Sequence, residues 1–126
     1  MLMVTPNEQE HQLRTELAQF YRLVDFFGWT EMIFNHISVR LPGAEKRYLV
    51  NPFGLNYNEV TPENLLTVDV SGHLIGDSNY KPNPAGFALH GAIHTAREDL
   101  HCIAHAHTTA MSAIAQKKNG LSHDNF

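Results

Sequence analysis

A chain of 126 residues, 43% hydrophobic and 17% charged, holds at most one globular domain and shows no bias toward disorder. Its net charge of −4, with no basic run longer than Lys117-Lys118, speaks against a nucleic-acid partner. No stretch reaches membrane-spanning length or reads as a signal core, and the single cysteine, Cys102, suits a reducing, cytoplasmic setting.

Residues 1–10 are polar and read as a flexible N-terminus ahead of a domain over 11–126. From His11 to Phe27 the apolar positions Leu13, Leu17, Phe20, Tyr21, Val24 and Phe27 recur at three- and four-residue spacing. That spacing predicts an amphipathic helix, with Gly28 as its stop. Residues 33–41 and 47–50 read as strands of a hairpin about Pro42-Gly43. Asn51-Pro52-Phe53-Gly54 is a sharp loop, and Thr61-Pro62-Glu63 reads as the cap and first turn of a very short helix. Residues 65–70 and 73–75 form a second hairpin about Ser71-Gly72. Asn83 caps and Pro84 opens a helix to about Arg97, a strand follows over 100–105, and Thr108 or Thr109 caps a last helix to about Lys118. From Leu121 to Phe126 no terminating element is evident. Helices interleaved with early hairpins predict an α/β layered domain with a mixed, largely antiparallel sheet.

Histidine is the compositional anomaly: of nine, six (His73, His90, His94, His101, His105, His107) fall within 35 residues. His105 and His107 end an apolar strand, where alternate side chains share a face, so the two imidazoles can grip one divalent cation. The plainer reading is one core histidine satisfied by a hydrogen bond beside a second at the sheet edge. His90 and His94 stand one helical turn apart. They resemble the zinc-peptidase helix pattern, but the glutamate that pattern needs as general base is Gly91 here. A helix-face pair near the cation, or plain helix packing, fits better. His73 and His101 read as exposed polar residues. Asn35-His36-Ile37-Ser38 and Asn51-Pro52-Phe53-Gly54 are candidate anion or substrate loops, because small polar residues and glycine let backbone N–H groups approach a ligand. Phe26, Phe27 and Trp29 read as core, and Glu31, Asp69 and Asp99 have no partner visible in the sequence.

The succession of the first helix, Gly-Trp-Thr at 28–30, Asn-His-Ile-Ser-Val-Arg at 35–40, Asn-Pro-Phe-Gly at 51–54, Asn-Pro-Ala-Gly-Phe-Ala-Leu-His at 83–90 and His-Ala-His-Thr at 105–108 resembles the class II aldolase/adducin family. The resemblance runs from about Arg14 to Gln116. It is closest to bacterial members that carry the Asn-Pro-Ala-Gly-Phe segment, next closest to adducin head domains, and weaker to the sugar-phosphate aldolases and the ribulose-phosphate epimerase.

It implies a three-layer α/β/α domain assembled as a ring of four, with sites between subunits. In the aldolases, a Zn²⁺ held by three histidines polarises the substrate carbonyl and stabilises the enediolate of carbon–carbon cleavage. By the resemblance His105 and His107 match the first two ligands. The third lies beyond Phe126 in the family, so the domain reads as truncated at its C-terminus. The family's acid/base glutamate falls on Gly86, which leaves the catalytic residue unassigned. Its phosphate-binding serine pair falls on Pro84 and Ala85; Asn35 and Gly54 match phosphate-site positions, while Phe53 replaces the threonine before the glycine. With His90 and His94 these make the expected substrate-binding set.

The function so implied is a metal-dependent lyase-type domain, a carbon–carbon lyase if active. It would act on a small carbonyl or hydroxy-acid substrate by aldol cleavage or decarboxylation, with Zn²⁺, Mn²⁺ or Fe²⁺, in a homo-oligomer. The alternative is a non-catalytic, adducin-like scaffold that keeps a vestigial metal site.

Overall fold

The structure, a computed structural model, describes residues 5–124. Helix α1 spans Pro6–Phe26 and starts ahead of the predicted His11 because Thr5 and Glu8 close a capping box: the Glu8 N–H donates to the Thr5 hydroxyl and the Thr5 N–H to the Glu8 carboxylate. Of the segment expected to be flexible, residues 6–10 are helical, and residues 1–4 lie outside the described residues. Gly28, at φ +67°, ends the helix as expected.

Strand β1 (His36–Arg40) is shorter than predicted, because Asn35 adopts a left-handed φ of +70° that interrupts an extended chain. It pairs with β2 (Arg47–Val50), which pairs with β3 (Leu66–Asp69); β4 (Cys102–His105) adds to the other side of β1. The order is β3-β2-β1-β4, and all three pairings are antiparallel. Helix α2 (Pro84–Ala96) follows its predicted bounds, with Asn83 Oδ1 accepting from the N–H groups of Ala85 and Gly86. Helix α3 (Thr109–Ala115) is capped by Thr108. The short helix expected at Thr61-Pro62-Glu63 is instead a turn, in which Thr61 and Asn64 exchange two hydrogen bonds. Leu65 and Leu66 enter opposite cores, which requires an extended chain there. A 3₁₀ turn at Tyr57–Glu59 precedes it.

The period of two along the strands builds the layers. Ile37 and Leu49 face α1, where Leu17, Ala18, Tyr21 and Val24 pack on them. Tyr48, Val50, Leu66 and Val68 face the other way, against Phe87 of α2. The result is a three-layer α/β/α domain with an open sheet. Arg14 fastens α1 to the β3 side, donating to the Leu65 carbonyl and the Thr67 hydroxyl, each at 2.7 Å. Phe26, Phe27 and Trp29 are not core as predicted: they are 80%, 55% and 47% exposed, because Phe26 lies on the outer side of the last α1 turn and the other two follow the helix. Among the described residues no helix is long and apolar enough to cross a membrane.

Candidate functional site

Strand β1 begins where β4 ends, with His36 opposite His105. The first turn of α2 closes over that end of the sheet. On β1, His36 and Ser38 lie two residues apart and so turn to the same face, toward α2. A single row of hydrogen-bonded side chains results. His107 Nε2 lies 2.8 Å from His105 Nε2, and His105 Nδ1 lies 3.4 Å from His36 Nε2. His36 Nδ1 is 2.8 Å from His90 Nε2. The Ser38 hydroxyl completes the row, 2.6 Å from His90 Nδ1 and 2.9 Å from His94 Nε2. At the outer end Glu31 Oε2 meets His107 Nδ1 at 3.0 Å. At the inner end His94 Nδ1 is buried without a partner.

Burial is the first cause that holds these rings neutral. It pushes His36 down to about 4, with His105 and His107 adding to the effect. His90 is pushed to about 3 by burial and then by its neighbours His36 and His94, and His94 to about 4 by burial and then by Arg40. Burial also lowers His105, with His107 adding to the effect and Glu31 opposing it. At neutral pH the rings of His36, His90, His94 and His105 therefore each carry one proton and one lone pair, the state in which imidazole binds a metal.

Gly86 makes room for the row. A side-chain carbon placed on it would lie 2.5 Å from His36 Cδ2 and 2.7 Å from His36 Nε2, closer than van der Waals contact permits. The position that resemblance pairs with a catalytic glutamate is thus filled, in space, by the His36 ring.

Asn35 precedes β1 with its Nδ2 buried and unpartnered. The loop 51–54 follows β2 at the same end of the sheet, and its Phe53 N–H donates to the Lys81 carbonyl in the segment leading to α2. Gly54 turns there at φ +97°. Asn51 is engaged internally: its Oδ1 accepts from the buried Tyr21 hydroxyl at 2.8 Å and its Nδ2 donates to the Pro52 carbonyl at 3.4 Å. His90 and His94, expected as substrate-binding residues, are fully buried between α2 and the sheet. They face ligand space only through Ser38 and His36, so helix packing describes them. His73 and His101 are exposed as read. A cleft of about 310 Å³ opens beside His107, lined by Trp29, Thr30, Glu31 and Thr109. A larger one of about 570 Å³, between α1 and the β1–β2 turn, contains none of the predicted site residues.

Sequence reasoning found no partner for Glu31, and it placed His36 and Ser38 in a candidate loop rather than in the histidine row. A signal was available for the last two: polar residues at alternate positions of a strand whose other positions are apolar mark a buried polar face. Nothing local announces Glu31. Among the described residues no three His, Cys, Asp or Glu side chains are grouped to hold a metal ion.

Residues 15–125 match the family model of the class II aldolase and adducin N-terminal domain. The chain is 46% identical over 115 residues to the "Putative aldolase class 2 protein" of Caulobacter vibrioides, an alignment covering 91% of this chain and 45% of that one. It is 46% identical over 114 residues to alpha-adducin of Rattus norvegicus, over 89% of this chain and 16% of that one. The solved structure of L-fuculose 1-phosphate aldolase from Glaciozyma antarctica superposes with a TM-score of 0.82 at 30% identity, over 91% of this chain and 47% of that one. The chain spans less than half the length of each.

Proposed function

We propose, for a chain that belongs to the class II aldolase and adducin N-terminal domain family, a metal-dependent lyase-type function centred on His105 and His107. The observation that carries the reading is the approach of His105 Nε2 and His107 Nε2 to 2.8 Å. Two imidazole nitrogens on one tetrahedral Zn²⁺ stand roughly 3.3 Å apart, given Zn–N bonds of about 2.0–2.1 Å, so a small outward movement of the rings admits the ion. Glu31 behind His107 Nδ1 supplies the carboxylate–histidine support common to such ligands. The remaining donors come from outside the residues grouped here, as the family resemblance implies for a third histidine. When bound, the cation, Zn²⁺ or alternatively Mn²⁺ or Fe²⁺, supplies a Lewis acid that polarises a substrate carbonyl.

The chain's own residues bind and orient a small carbonyl or hydroxy-acid substrate for aldol cleavage or decarboxylation. Asn35 Nδ2, a buried donor without an acceptor, fits an anionic oxygen of that substrate, and the Gly54 turn lets the loop backbone come close to it. Assembly as a homo-oligomer, a tetramer by resemblance, and a cytoplasmic setting belong to the same reading. A second reading, an adducin-like scaffold without catalysis, is favoured by Gly86, which puts the His36 ring where an acid/base side chain would stand.

Metal analysis of natively purified chain, beside the His105→Ala/His107→Ala variant, tests the first reading. Near-stoichiometric Zn²⁺, Mn²⁺ or Fe²⁺ in the former and none in the latter is expected; a metal-free wild type sinks it. Turnover of sugar phosphates, hydroxy acids or keto acids with added metal, lost in the double variant, decides against the scaffold.

A further inference from the structure

We infer that His36 is a positioning residue for the metal ligand His105, held in place by the His90–Ser38–His94 row and given its space by Gly86. The inference rests on the metal-site reading above and adds to it residues outside the ligand pair.

The Glu31 carboxylate, 3.0 Å from His107 Nδ1, favours the His107 tautomer that carries its proton on that nitrogen and leaves Nε2 bare. In the metal-free chain His105 fills the 2.8 Å gap to that atom by donating from Nε2. Its Nδ1 then accepts from His36 Nε2–H, and His36 Nδ1 from His90 Nε2–H. His90 Nδ1 in turn accepts from the Ser38 hydroxyl, which accepts from His94 Nε2–H. A cation at the pair needs both Nε2 lone pairs. His105 must then keep its proton on Nδ1, and the atom facing that nitrogen is His36 Nε2, now an acceptor.

Within the row His105, His36 and His90 each have a partner on both nitrogens, and the last ring, His94, has none on Nδ1. The whole row can therefore run in either direction with every internal bond kept. In the reversed direction His105 donates to His36, His36 to His90, His90 to Ser38, and Ser38 to His94. One proton leaves His105 Nε2 and one is taken up at His94 Nδ1, so no ring becomes charged. A carbonyl or carboxylate beside His105 would fix one direction for good. A row of imidazoles and a hydroxyl permits both, so His105 is supported with and without the metal.

Gly86 is the second, independent observation. Any side chain there drives into the His36 ring at Cδ2 and Nε2, the nitrogen that meets His105. Substitution at 86 thus removes the support while leaving every histidine in the chain.

The test uses the full chain loaded with Co²⁺, whose visible bands report the ligand geometry, with Zn²⁺ competition giving affinity. Four proteins are compared: wild type, His36→Leu, His36→Gln and Gly86→Ala. Glutamine places an amide near the His36 Nε2 position and can accept or donate. Metal affinity is expected to fall about 10–100-fold with altered bands in His36→Leu and Gly86→Ala, and to recover in His36→Gln. Imidazole ¹⁵N shifts of wild type are expected to show His36 and His90 protonated on Nε2 without metal and on Nδ1 with Zn²⁺. Wild-type affinity in both His36→Leu and Gly86→Ala overturns the inference while leaving the metal site standing. So does equal weakness of His36→Gln and His36→Leu in folded protein, or an unchanged His36 tautomer on loading. A wild-type chain that takes no Co²⁺ overturns the metal-site reading itself, and the inference with it.

Discussion

Asn51 Oδ1 stands 2.8 Å from the Tyr21 hydroxyl, and through that contact α1 holds the loop that follows β2. The same hydroxyl accepts from the Ile37 N–H at 2.7 Å, one residue into β1 from His36. A single fully buried side chain thus ties together the two segments that frame the site end of the sheet.

Tyr21→Phe keeps the ring and removes the oxygen. The Ile37 N–H and the Asn51 amide oxygen lose a partner away from water, a loss of about 1–3 kcal/mol for a buried group left unsatisfied. Urea unfolding is expected to show a lower midpoint at unchanged slope. An unchanged midpoint would mean that water replaces the hydroxyl.

Gly91 lies against the Val70 carbonyl, and a side-chain carbon on it would collide with that backbone oxygen. Backbone cannot swing aside as a side chain can, so α2 must lift from the end of β3. Gly91→Ala is expected to cost about 1–3 kcal/mol or more, read as a lowered thermal midpoint; a neutral result would show that α2 is free to slide.

Ser38→Ala should destabilise the fold by about 1–3 kcal/mol, because Ser38 is the one partner of His90 Nδ1 and of His94 Nε2. Chemical denaturation with far-ultraviolet circular dichroism measures it. Stability equal to wild type would contradict the row as a structural element.

Acid sensitivity follows from His90 and His94, whose folded values are depressed to about 3 and about 4 from an ordinary 6.5. Between pH 6.5 and about 4 the unfolded chain binds protons that the folded chain refuses, so stability rises with pH across that window. The contribution is fully present above about pH 6.5 and is lost as pH falls toward 4. A pKa held one unit below its free value corresponds to about 1.4 kcal/mol, so two such rings remove a sizeable share of an ordinary domain stability of about 5–15 kcal/mol. Urea midpoints at pH 7.5, 6.0 and 5.0 should fall in that order; a flat series would count against the burial of neutral imidazoles.

Helix α2 was legible almost to the residue, since Asn83, Pro84 and the run to Ala96 are local signals of start and length. So was the β1–β2 hairpin, and of the two caps offered for the last helix, Thr108 or Thr109, the structure takes Thr108. The aromatic residues at and just after the end of α1 were misread because apolar character says nothing about whether a facing layer exists: Phe26 is 80% exposed. The turn at Thr61 carries a genuine capping pattern, yet two neighbouring leucines bound for opposite cores overrule it.

The chain of amino acids by itself determined the periodicities, the caps, the family and the pairing of His105 with His107, because each is written in neighbouring residues. Tertiary structure alone decided that Glu31 backs His107, that His36 stands behind His105, and that Gly86 is empty for the sake of a ring from another strand. These contacts join residues far apart in sequence. Their existence depends on strand register and on the depth to which α2 settles on the sheet, and neither is encoded at any one position.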